Sequence, residues 1–133
     1  PLYSSAASDV YKRQDYDRAT NIYWPGNKLG HGREDVIKFW NSLKSILSEI
    51  KFKIEHVGYL DEPNRNPRAS IRWSLEGIHS KDSKDYGKKT NSNLSFIGIN
   101  HAELNPYGVI KEWVLFDEVA IWKQILINKN KNG

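Results

Sequence analysis

Apolar residues change their spacing several times along the chain, and each change marks an element. From 33 to 50, Val36, Ile37, Phe39, Trp40, Leu43, Ile46, Leu47 and Ile50 recur at three- and four-residue steps, the period of one amphipathic helix. Glu34 and Asp35 fall in its first turn, where negative charge suits the helix dipole. This helix is expected to pack on a sheet through Trp40, Leu43 and Leu47. The other apolar stretches read as strands. Residues 21–24 form a short one, stopped by the turn pair Pro25-Gly26. The segment 26–32 holds three glycines and reads as a loop. A strand at 52–60 is followed by the loop 61–68, which has two prolines and no apolar residue. Strands at 69–80 and 94–104 are rich in Ile, Trp and Phe. After a turn at 105–108, residues 109–122 read as a final long strand that closes on 124–127.

The order is therefore strand, helix, then four strands joined by turns or short loops. Strands linked without crossover helices pair mostly antiparallel. One helix and one sheet bury a face each only against one another, which gives an α+β fold. A sheet curved strongly around helices would leave a concave interior, a natural small-molecule pocket.

Composition narrows the class. At 133 residues, 38% hydrophobic and 27% charged, the chain fits one ordinary globular domain. No apolar run approaches the ~20 residues that a membrane-spanning helix needs, so no membrane is expected as partner. The absence of Cys removes disulfides, thiolate metal sites and a cysteine nucleophile, and fits a reducing, cytoplasmic compartment.

A pI near 9.2 suggests nucleic acid until the charges are located. Residues 1–14 carry a net of +1 and the tail from Lys123 a net of +3, which leaves zero for 15–122. A nucleic-acid domain places its basic excess on the folded body. This body is neutral, so no nucleic-acid partner is expected. Residues 128–133 read as a flexible basic tail. Residues 1–14 lack a clear apolar period and resemble a translated sequencing adaptor, so they are expected to be foreign to the fold. A single domain is expected over 15–127.

Most chemically capable residues have plain explanations. His31 lies between glycines in a loop, His56 shares a strand face with Phe52 and Ile54, and Lys88-Lys89 reads as a solvated turn. No two histidines have metal-clamp spacing, and no G-x-S-x-G elbow or phosphate-cradling loop is present. No metal and no cofactor are expected. Asp117 is different, because it interrupts a run of large apolar residues. Strand alternation puts it on one face with Trp113 and Leu115, and Glu112, Val114 and Phe116 on the other. If the first face is concave, Asp117 is desolvated and suits a general base. The competing reading places it at a strand end, solvated or capping a turn.

Arg72-Trp73, Gly77-Ile78-His79, Tyr86-Gly87, Thr90, Gly98-Ile99-Asn100-His101, Gly108-Val109-Ile110, Glu112-Trp113, Phe116-Asp117-Glu118 and Lys123-Gln124 form an ordered series. Together with Trp24-Pro25-Gly26 and Gly32-Arg33-Glu34, this series resembles the SnoaL-like polyketide cyclase family of the nuclear transport factor 2-like superfamily. The resemblance spans roughly residues 15–125. It implies a cone-shaped α+β fold (a cystatin-like roll) with a mostly antiparallel curved sheet around helices. A deep pocket and a homodimer through the sheet are implied with it. In characterised cyclases of the family, an aspartate on the last strand is general acid/base for an intramolecular aldol closure. By motif that residue is Asp117, with His101 on the neighbouring strand. Two departures are visible: Lys89-Thr90-Asn91 stands where the family usually has Pro-Thr-Gly, and the helices that normally precede Asn21 are absent or replaced.

The first functional reading is thus an enzyme with cofactor-independent acid/base chemistry, of cyclase, isomerase or hydrolase type. It would act on a small apolar or ring-containing molecule held by Trp113, Trp73, His79, Leu115, Ile99 and Trp40. The alternatives are a non-catalytic ligand-binding or dimerisation module, or a protein-interaction domain. Ile78, Ile110, Val114 and Phe116 are the expected dimer face. With a regular hairpin, His101 would oppose Glu112 and face away from Asp117. A bulge reverses that parity, and Pro106 favours an irregular connection. Both side chains are therefore expected in one cavity, within the ~6 Å at which charges perturb each other.

Overall fold

The computed structural model describes residues 16–132; the segment 1–14 lies outside the described residues. Six strands and two helices follow in the order β1 (Tyr16–Trp24), β2 (Lys28–His31), α1 (Gly32–Lys44), β3 (Leu47–Leu60), β4 (Arg68–His79), β5 (Asn93–Asn105), β6 (Gly108–Phe116) and α2 (Glu118–Asn132). They form one curled sheet in the order β2-β1-β6-β5-β4-β3, antiparallel except for the β1–β6 pair. This is the expected α+β cone with a mostly antiparallel sheet.

Helix α1 lies inside the curl. Val36 and Leu43 are buried, and Phe39 and Trp40 pack against the same core. The segment read as a loop at 26–32 contains β2, whose Gly30 passes close under the helix. A Cβ at Gly30 would come within 2.6 Å of the Phe39 ring, so a side chain there would push α1 away.

The helix ends at Lys44, six residues before the expected 50. Ile46 and Leu47 are buried as their spacing requires, but outside the helix. The Ile46 carbonyl accepts bonds from the Ser80 and Lys81 amides at 2.9 and 3.3 Å, and Leu47 already pairs with His79. Pairing with β4 therefore overrides the local helical period. The switch uses Glu49 at φ +52 and a register shift between Ser48 and Lys51.

The last strand is also shorter than expected. It stops at Phe116, and residues 118–132 form α2 rather than more strand and a basic tail. Asp117 caps the helix: its Oδ1 accepts the Ala120 amide at 2.9 Å. Ile121 and Ile125, four apart, are buried in the core. The sheet edge that β6 leaves behind is completed by a side chain. The Gln124 amide accepts from the Ser95 N–H at 2.9 Å and donates to the Ser95 carbonyl at 2.8 Å.

The core centres on Trp73. Its indole N–H donates to Asn100 Oδ1 at 2.8 Å, and its ring lies 5.5–6.3 Å from those of Phe52, Trp40, Phe96 and Phe116. Trp73 pairs with Gly98 across the β4–β5 ladder, and a Cβ at Gly98 would overlap the indole. Overpacking of this kind typically costs about 1–3 kcal/mol. Gly98→Ala is therefore expected to lower the unfolding free energy by that amount, read from the denaturation midpoint. An unchanged midpoint would show that the indole can move aside freely.

Candidate functional site

The inner face of the sheet carries few polar groups among many rings. From β1 come Tyr16, Thr20, Ile22 and Trp24, all buried. Asn100 faces inward from β5 and Glu112 from β6, both fully buried. The Tyr16 hydroxyl donates to Glu112 Oε1 at 2.9 Å, and the Trp40 side chain also hydrogen-bonds that hydroxyl. Burial, followed by the negative charge and hydrogen bond of Glu112, pushes the Tyr16 phenol well above its ordinary value of 10. Tyr16 thus remains a proton donor at any physiological pH. Ile22 pairs with Glu112 across the β1–β6 ladder, and Thr20 lies two residues earlier on the same strand face. The Thr20 hydroxyl is buried with no hydrogen-bond partner. Buried polar atoms are seldom left in that condition.

The expected site residues divide between two faces. Trp73 and His79 lie inside, and Trp40 packs against Trp73. The hairpin is irregular as expected, with a register shift between Glu103 and Leu104. His101 accordingly pairs with Trp113 and Ile99 with Leu115. That face is the convex one, however. His101, Ile99, Trp113 and Leu115 are exposed, and Asp117 is an exposed helix cap. The expected placement of Asp117 and His101 together inside the cone is corrected: residues 112, 114 and 116 are the inward set. The same parity corrects the expected dimer face, because Val114 is buried and Phe116 packs on the core. Nothing local in the sequence pairs Glu112 with Tyr16, because their partnership joins residues 96 apart. The only local signal was a carboxylate among large apolar residues, which fitted Asp117 equally well.

Among the described residues, no group of three His, Asp or Glu is placed to hold a metal ion. No described helix is long and apolar enough to cross a membrane.

No protein-family model matches the chain, and no curated protein matches it by sequence. Solved structures do. A candidate SnoaL-like polyketide cyclase from Jannaschia sp. CCS1 superposes with a TM-score of 0.69 at 15% identity, over 85% of this chain and 74% of that one. Its counterpart from Shewanella putrefaciens CN-32 gives 0.68 at 14% identity, over 96% and 87%. IdmH from Streptomyces antibioticus, a candidate polyketide cyclase, gives 0.65 at 15% identity, over 93% and 92%. The chain has the SnoaL-like fold.

Within this SnoaL-like fold, His79 ends β4 and is fully buried. Its Nδ1 lies 3.1 Å from the Thr90 hydroxyl, and its Nε2 has no hydrogen-bond partner. Burial lowers its affinity for a proton below the ordinary value of 6.5, with Asp82 pulling weakly the other way. Well above pH 6.5 the ring is neutral whether the chain is folded or not, so there it contributes no pH dependence. Below that value the unfolded chain takes up the proton first, and stability falls until the folded ring also titrates. The unfolding free energy of His79→Gln should accordingly fall less between pH 7 and pH 5 than that of the native chain. Parallel pH profiles would place the acid sensitivity elsewhere.

Proposed function

We propose that the concave interior binds a small ring-containing carbonyl compound and promotes proton transfer beside its carbonyl, as a polyketide-cyclase-type reaction requires. The observation that carries this reading is the unpartnered Thr20 hydroxyl on the strand face of the Tyr16–Glu112 pair, inside an aromatic lining. Ligand sites are mostly apolar with a few convergent polar groups, and an orphaned donor there gains a partner when a ligand enters. In the reaction, Glu112 removes the proton from carbon and the electron pair moves onto the carbonyl oxygen. Thr20 donates a hydrogen bond to that oxygen, and Tyr16 orients the carboxylate. The enolate carbon then attacks a second carbonyl carbon of the same molecule, whose π electrons move onto its oxygen, and that oxygen takes the proton back from Glu112.

The test uses 2-tetralone, a ring-fused ketone with an acidic C–H, and follows its deuterium exchange. Positioned acid/base help is typically worth ~10²–10⁴ in rate, so Glu112→Gln should lose at least about a hundredfold. Asp117→Asn should keep the native rate, since an asparagine caps a helix as well as an aspartate does. The opposite pattern would return the chemistry to Asp117 and overturn this assignment. Binding without exchange would favour a non-catalytic module, a reading supported by how closely Trp24, Phe39, Trp40 and Phe116 already pack.

A homodimer belongs to the same proposal. The convex faces of β5 and β6 expose Ile97, Ile99 and Leu115, flanked by Trp113 stacked on Tyr23 at 5.5 Å. These strands run side by side, so the patch is continuous, and in a two-fold dimer it would meet its own copy. Leu115→Glu would bury two charges at the centre of such an interface. It should convert a dimer to a monomer in sedimentation at micromolar concentration. An unchanged sedimentation coefficient would exclude this face.

A further inference from the structure

The connection from β4 to β5 returns to the body beside α2, and a cleft of about 850 Å³ lies between them. Sites for drug-sized ligands typically measure ~300–1,000 Å³. The floor is apolar, formed by Trp122, Ile125 and Leu126 of α2, while Lys88, Lys89 and Lys129 stand around it. Trp122 and Leu126 are 40% and 54% exposed, so the floor is open to an incoming group.

The opposite wall is tied in place. Ser83 and Gly87 exchange two backbone hydrogen bonds of 2.8 and 2.9 Å, and the Ser83 hydroxyl accepts the Tyr86 amide at 2.8 Å. The Asn91 amide donates to the His79 carbonyl at 2.9 Å, which anchors the far end of the loop to β4. A wall held in this way costs little further ordering when a ligand binds.

Charge selects the occupant. Among the described residues, no carboxylate lines the cleft and none of the three lysines is ion-paired. Of the nearby acids, Asp82 accepts the Lys89 amide at 2.8 Å and Glu118 accepts the Tyr86 hydroxyl at 3.3 Å, while Asp85 lies on the far side of Tyr86 with Trp24 and Lys28. An apolar floor ringed by unpaired cations complements a molecule with an apolar body and one negative end.

We propose that this cleft binds a small amphipathic carboxylate, with its apolar tail on α2 and its head group among Lys88, Lys89 and Lys129. The cleft is separate from the Tyr16–Glu112 interior. Its lysines sit on a loop and a helix end, where they suit a single small anion better than the long groove an extended acidic peptide would need.

The test is a titration of the full chain, labelled with nitrogen-15, with decanoate kept below its micelle-forming concentration. Amide shifts should concentrate in residues 86–92 and in α2. Decanol, which has the same tail and no charge, should bind at least about tenfold more weakly, a difference of ~1.4 kcal/mol. Lys88→Gln combined with Lys129→Gln should weaken decanoate by a similar factor, with the rest of the spectrum unchanged. Equal binding of decanol, shifts centred on Trp73 and Asn100, or a double variant that binds as tightly as the native chain would each overturn the proposal. So would saturation by a Glu-rich peptide at a lower concentration than decanoate.

Discussion

The fold depends on one indole lying over one glycine. Trp73 and Gly98 face each other across the β4–β5 ladder, and the space that a Cβ would take at Gly98 is filled by the Trp73 ring. Two residues along the same strand face, Asn100 accepts the indole N–H. These contacts define the register jointly. A one-residue slip would put Ile97 or Ile99 beneath the ring and carry Asn100 to the outer face. The rings of Trp40, Phe52, Phe96 and Phe116 pack around the same indole, so α1, β3, β5 and β6 all take their positions from it.

That register then decides the chemistry of the interior. With Gly98 and Asn100 facing inward, the pairing of β5 with β6 brings Phe116, Val114 and Glu112 to the inner side in turn. A buried glutamate is tolerated only when it is paired. The Tyr16 hydroxyl supplies a partner across the parallel β1–β6 junction. That hydrogen bond gives the buried carboxyl a partner and also joins strands from the two ends of the chain.

Strand alternation along β4, β5 and β6 was legible in the sequence, and it correctly grouped Trp113 with Leu115 and Glu112 with Val114. Which group faces the core was not. Trp113 and Leu115 are the more apolar pair, yet they lie outside, because the inward carboxylate is paid for by a tyrosine far away in the chain. The irregular hairpin followed from Pro106, but parity alone puts His101 beside Trp113 without saying on which side of the sheet both stand. Local period likewise misplaced two ends. Ile46 and Leu47 keep helical spacing while their backbone belongs to the turn and to β3. In α2, the sequence Asp117-Glu118 followed by Ile121 and Ile125 is a helix start by capping and spacing. The apolar run around it masks that signal.

The C-terminal helix shows how a sheet edge can be closed without another strand. An unpaired edge at residues 93–97 would be a template for pairing with a second chain. Asp117 turns the chain into a helix just past the last ladder position, with its own amide still bonded to the Ile97 carbonyl at 3.3 Å. Gln124 then occupies both backbone groups of Ser95 with one side-chain amide. Closing the edge in this way consumes only the side of α2 that bears Ile121, Gln124 and Ile125. Val119, Trp122 and Leu126 project from the other side and remain exposed. A strand in the same place would have alternated its apolar residues between core and solvent. The helix instead brings Trp122 and Leu126 beside the loop residues 86–92, with the edge of Ile125 between them and the core, and so the device that protects the edge also creates the floor of the cleft.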